Sequence, residues 1–164
     1  MVNGRTPMVG RLENKIALVT GASSGLGKVT ALAFARAGAT VVAAARRKAE
    51  LDTTVQTIRD LGGEAIAVRT DVSQPDQVEA MVDTAVATYG RLDVAFNNAG
   101  VFPAEGLVHE APEDRWNTLM DTNLKGTWLC MKSELHYMLE QGSGSIVNMA
   151  SSAGLVGWSD NPIY

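Results

Sequence analysis

A chain of 164 residues with 46% hydrophobic and 20% charged side chains is long enough for one real core, and its balance excludes a disordered protein. The net charge of -4 argues against the clustered basic face of a nucleic-acid binder, and the single cysteine, Cys130, excludes an internal disulfide. The opening MVNGRTPMVGRLENK lacks a long apolar run, so it reads as neither a signal peptide nor a membrane anchor, and the expected location is the cytoplasm. Residues 1–10 are expected to form a flexible tail and 11–164 a single domain.

From there strand and helix signals alternate. Residues 15–20 (KIALVT) are apolar and β-branched, the pattern of a strand buried on both faces. Residues 25–37 follow with Leu26, Val29, Leu32, Ala33 and Ala37 at helical spacing, closed by Gly38. Residues 40–44 predict a second strand, 48–61 a helix stopped by Gly62 and Gly63, and 64–69 a third strand. Ser73 is the expected cap of a helix running to Tyr89, with proline early in its first turn. Residues 92–97 predict a fourth strand, 112–140 one long, mostly helical stretch, and 144–150 a fifth strand. This alternation demands parallel pairing with right-handed crossovers. The expected fold is therefore α/β, a doubly wound parallel sheet in the order 3-2-1-4-5, with ligands held where that order reverses.

The first reversal falls after Thr20, where the chain reads TGASSGLGK. Gly21 permits a tight turn, Gly25 and Gly27 let backbone and diphosphate approach, and the following helix offers unpaired N–H groups to phosphates. Gly21, Ser23, Ser24, Gly25, Leu26 and Gly27 are thus the candidate dinucleotide turn. A P-loop does not fit, because Ala22 stands where its first glycine belongs and Val29 where its Ser/Thr belongs. About twenty residues on, a dinucleotide site shows an acid for the ribose or an arginine for a 2′-phosphate. Here the second strand ends in alanines followed by Arg46 and Arg47, with no Asp or Glu. That favours NADP over NAD, with Arg46 as the reader and Arg47 as a surface residue starting the next helix.

Taken together, the residues from about 10 to 164 resemble the short-chain dehydrogenase/reductase family, whose domain is Rossmann-like. The resemblance rests on TGASSGLG, on Asp71-Val72 after the third strand, on NNAG at 97–100, on Asn123 in MDTNLKG, and on SIVNMASSAG. It implies that Asp71 and Val72 lie against the adenine ring and that Asn98, Ala99 and Gly100 run along the cofactor. It implies a proton-relay water at Asn123, a serine that holds the substrate oxygen, and a tyrosine that exchanges a proton with it. The family places that tyrosine thirteen residues after the serine of Ser-x-x-Gly. Ser151 meets both conditions, with Gly154 three residues on and Tyr164 thirteen on, whereas Ser152 meets neither.

The resemblance further implies hydride transfer between nicotinamide and an alcohol or ketone, and a homo-oligomer, dimer or tetramer. A free phenol titrates near ~10, and family members lower that value with a lysine four residues after the tyrosine, which here would be position 168. Members run to roughly 250 residues, so the family domain is expected to be truncated at Tyr164. The alternative reading is an inactive dinucleotide-binding fragment or module that lacks this lysine.

Other candidates are weaker. Cys130 reads as a small buried hydrophobe, and His109 and His136, far apart and without companions, read as surface residues rather than metal ligands. Ser151 lacks the Gly-x-Ser-x-Gly elbow of a hydrolase. Met120, Met131 and Met138 fall at helical spacing and read as core or interface filler. Residues 155–162, with Trp158, are expected to border the substrate pocket and 102–108 to tune it, their apolar character suggesting a neutral substrate.

Overall fold

The computed structural model describes residues 10–102, 106–156 and 163–164. Most of the expected tail, Trp158 and the other residues of 157–162 lie outside these. Among the described residues, β1 Ile16–Thr20, β2 Thr40–Ala45, β3 Ala65–Arg69, β4 Val94–Asn97 and β5 Ser145–Asn148 form one parallel sheet. Its pairing is parallel, as the alternation demanded, and its order is β3-β2-β1-β4-β5, the one such a fold usually takes. The crossovers are α1 Gly25–Arg36, α2 Lys48–Asp60, α3 Pro75–Tyr89 and, between β4 and β5, α4 Glu113–Leu119 with α5 Gly126–Gln141.

Why these strands are apolar throughout becomes clear from the layers. Successive side chains of a strand point to opposite faces, and helices cover both. Leu18, Val42 and Ala95 face a core completed by Val78, Met81, Val82 of α3 and Leu129 of α5. Val19, Val41, Ala43 and Phe96 face the other, completed by Ala31 of α1 and Leu51, Val55 and Ile58 of α2. Cys130 and Met138 lie in the first of these cores, and burial, then Glu134, pushes the Cys130 thiol up to about 12. That thiol is inert filler.

Two local expectations need correction, and a third gains detail. The α3 cap is Gln74 rather than Ser73, because Ser73 turns its backbone N–H and hydroxyl to Asp71 Oδ1 at 3.1 and 2.8 Å. Leu26 and Val29 are 65% and 62% exposed, and α1 instead presents Gly27 and Ala31 to the sheet. Small residues are needed there because a Cβ on Gly27 would lie 2.3 Å from the Gly21 carbonyl oxygen. The expected long, mostly helical stretch is continuous over 113–141, with Met120–Lys125 wound as a π-helical turn between α4 and α5. Such turns insert an extra residue without breaking the apolar spacing on either side. No helix among the described residues is long and apolar enough to cross a membrane.

Candidate active site

At the carboxyl ends of the strands the glycine turn is held from below by one hydroxyl. Thr20 Oγ1, buried at the end of β1, accepts from the backbone N–H groups of Asn98 and Ala99, both at 3.0 Å. Asn98 returns a bond from Nδ2 to the Thr20 carbonyl at 3.1 Å. Gly21 adopts φ +69, and a Cβ there would meet Asn98 Nδ2 at 2.7 Å, so glycine is required on both conformational and steric grounds. From behind, Thr54 Oγ1 of α2 donates to the Ala22 carbonyl at 3.1 Å. Thr20 and Thr54 were not singled out by the motif, which reads glycines and passes over the hydroxyls that fix them.

Two adjoining cavities lie above this turn. The first, of about 300 Å3, is walled by Gly21, Ser23, Ser24, Arg46, Arg47, Asp71, Val72, Asn98, Ala99 and Gly100, with Ala44, Ala45, Thr70 and Thr122. Of the candidate dinucleotide turn, Gly25, Leu26 and Gly27 do not line it; Gly27 packs behind Gly21 instead. Arg47 is exposed and starts α2, as expected. Its Nη2 reaches back over the turn to Ser24 Oγ at 2.6 Å and Ser23 Oγ at 3.1 Å. The first turn of α1 contains no acid, and Ser24 caps it without a side-chain hydrogen bond. Backbone glycine, two serine hydroxyls, two guanidiniums and an acid-free helix start form a donor set that fits a phosphorylated dinucleotide.

The second cavity, of about 540 Å3, shares Asn98, Ala99 and Gly100 with the first and carries Ser151, Asn123 and Tyr164 in its wall. The three expected catalytic residues are thus brought to one place. Phe102 stacks edge-on against Tyr164, centroids 4.8 Å apart. Ser151 Oγ accepts from the Ala153 N–H at 3.1 Å, starting a short 3-10 turn, Ser152–Gly154. Asn123, on the π-helical turn, exchanges two bonds with Val101: it accepts from the backbone N–H at 2.8 Å and donates to the carbonyl at 2.9 Å. Its amide ties the wall of the cavity to the 98–100 loop. Among the described residues this cavity has no charged lining. His109 and His136 are exposed and line neither cavity.

Residues 15–164 match the family model described as short chain dehydrogenase. The chain belongs to this family. It is 40% identical over 147 residues to a 3-oxoacyl-[acyl-carrier-protein] reductase of Thermotoga maritima, covering 90% of this chain and 59% of that protein. A short chain dehydrogenase/reductase of Burkholderia phymatum in complex with NAD superposes with TM-score 0.90 at 38% identity, over 93% of this chain and 54% of the other. A metagenomic short-chain oxidoreductase in complex with NADP gives TM-score 0.89 at 35% identity, over 93% and 69%. The chain spans between 53% and 61% of the length of curated relatives that it matches.

Proposed function

We propose that this chain forms the cofactor-binding part of an oxidoreductase that moves a hydride between a nicotinamide and a carbonyl or secondary alcohol, with NADP preferred. One observation carries the reading: a basic, glycine-floored cavity and an uncharged one meet across Asn98, Ala99 and Gly100, and Ser151 and Tyr164 line the uncharged side. The bound dinucleotide supplies the hydride donor or acceptor, and residues of this chain hold and orient the substrate oxygen. Ser151, with its hydroxyl hydrogen free to turn outward while Oγ accepts from Ala153, orients the substrate oxygen. Tyr164 exchanges a proton with that oxygen. Asn123 acts by holding Val101, and with it the floor shared by the two cavities. Asp71 and Val72 take the adenine end, Arg46 and Arg47 the 2′-phosphate.

The neutral lining of the second cavity supports an uncharged small alcohol or ketone as substrate. A reducing, cytoplasmic setting belongs to the same reading, supported by a lone buried thiol and the absence of disulfides. Because the chain spans little more than half the length of its relatives, turnover is a property proposed for the whole protein. Binding is testable on the chain itself. A fluorescence titration should show NADPH bound more tightly than NADH, and no binding at millimolar cofactor would overturn the reading. In the whole protein, S151A should lower kcat at least a hundredfold while leaving the cofactor Kd within about twofold, as loss of a group acting on the reacting oxygen alone requires.

A further inference from the structure

One buried carboxyl has no part in the site described above. Glu134 of α5 is fully buried, and no cation pairs with it among the described residues. Its Oε2 accepts from Asn97 Nδ2 at 3.0 Å, and the same nitrogen donates to Asn148 Oδ1 at 3.0 Å. Asn97 and Asn148 are register partners, the last residues of β4 and β5. Both amide hydrogens of Asn97 are thus used. Its Oδ1 and Glu134 Oε1 are buried without a hydrogen bond among the described residues.

We propose that Glu134 is a positioning residue, holding together through Asn97 and Asn148 the two strand ends from which the 98–100 loop and Ser151 depart. The proposal rests on the oxidoreductase reading above. Asn97 is followed at once by the three residues that both cavities share, and Asn148 stands three residues before Ser151. The spacing between cofactor floor and serine therefore depends on this polar knot.

Chemistry decides the protonation state in which it works. A carboxylate has only acceptors to offer to an amide whose donors are spent, whereas the neutral acid brings one O–H. Burial drives the Glu134 pKa up to about 7, the Asn97 bond drawing it only part of the way back. The titratable neighbour on its own helix is Cys130, whose thiol stays protonated. Asn97 and Asn148, on the strands, are uncharged, and on α3 Asp83 is engaged by Tyr137 at the exposed rim. The folded state thus keeps the Glu134 proton to about pH 7, while an unfolded chain releases it near the ordinary glutamate value. The contribution to stability is complete below that ordinary value, falls as pH rises toward 7, and is lost above it.

The test titrates wild type, E134Q and E134L with NADPH on either side of pH 7 and follows the carboxylic-acid carbonyl band in the infrared. Wild type should lose affinity roughly tenfold across the titration, the worth of one buried hydrogen bond, as the band disappears. E134Q, which keeps the shape and carries a permanent donor, should bind like acidic wild type without that pH dependence. E134L should bind weakly throughout; if it does not fold, wild type against E134Q still decides. Wild-type affinity whose pH profile E134Q leaves unchanged, or a carboxylate band throughout, would overturn the proposal. Failure of wild type to bind NADPH at any pH would instead bring down the oxidoreductase reading, and the positioning role with it.

Discussion

Arg47 shows how much a single side chain's aim matters. As the cap residue of α2 it has the place of a solvated arginine, yet its guanidinium is turned back onto Ser23 and Ser24. Those bonds hold a positive charge at the rim of the first cavity, where an added phosphate could take over the same donors. We predict that R47A weakens NADPH binding about tenfold, as expected for loss of a charge-assisted hydrogen bond, and leaves NADH nearly unchanged. Parallel titrations with the two cofactors check this. Gly27 gives a second prediction of a different kind. A Cβ there would clash with the Gly21 backbone at 2.3 Å, and backbone cannot rotate away as a side chain can. G27V should abolish dinucleotide binding and lower stability by about 1–3 kcal/mol, read as a drop in both NADPH fluorescence and denaturation midpoint.

At the scale of elements, the sheet was legible and the interruptions were not. Fully apolar strands alternating with 3.6-period helices permit few arrangements, so parallel pairing and layers followed from pattern, and the order from what such folds usually take. The π-helical turn Met120–Lys125 escaped because one extra residue leaves the apolar spacing on each side intact. It is the turn that brings Asn123 to Val101. Glu134 escaped because a single acid within KSELHY reads as an ordinary solvated helix position, and its burial is decided by β4 and β5. The turn of the Arg47 guanidinium onto Ser23 and Ser24 was not legible either, since local pattern does not encode where a long side chain points.

The start of β4 carries a similar unforeseen feature. Asp93, buried just before the strand, receives Arg91 Nε at 2.8 Å and the Ile16 N–H at 3.0 Å, with Lys15 at 3.5 Å. Burial pushes its pKa up, but Arg91, the Ile16 amide and Lys15 together outweigh that and leave it below the usual carboxylate value. Its stabilisation is therefore present above the unfolded carboxylate pKa and disappears as pH falls through the folded one. D93N should cost about 2 kcal/mol at neutral pH, the range for hydrogen bonds to charged groups. The gap between D93N and wild type should close in acid, which denaturant midpoints across pH would reveal.

For the molecule as a whole, the two margins of the sheet are unequal. The β3 margin is shielded by the charged Arg69 and by α2, whose Arg59 donates to the Ala65 carbonyl at 2.8 Å. At the other margin β5 pairs only with β4 among the described residues, and Val147 is 51% exposed. On the α5 side of the same margin Leu139 is 75% exposed, over a shallow apolar cavity formed with Leu135, Met138 and Ile146. An unpaired strand next to apolar side chains is a template for another chain, since it offers both backbone hydrogen bonds and area to bury. The chain as it stands should therefore self-associate through this margin. V147K and L139K together place an ammonium group on either side of this margin, while touching neither cavity. Sedimentation velocity should show wild type shifting to larger species with concentration and the double variant remaining monomeric with its NADPH affinity unchanged. A wild-type chain that stays monomeric at high concentration would show that the margin is protected by something other than a second copy.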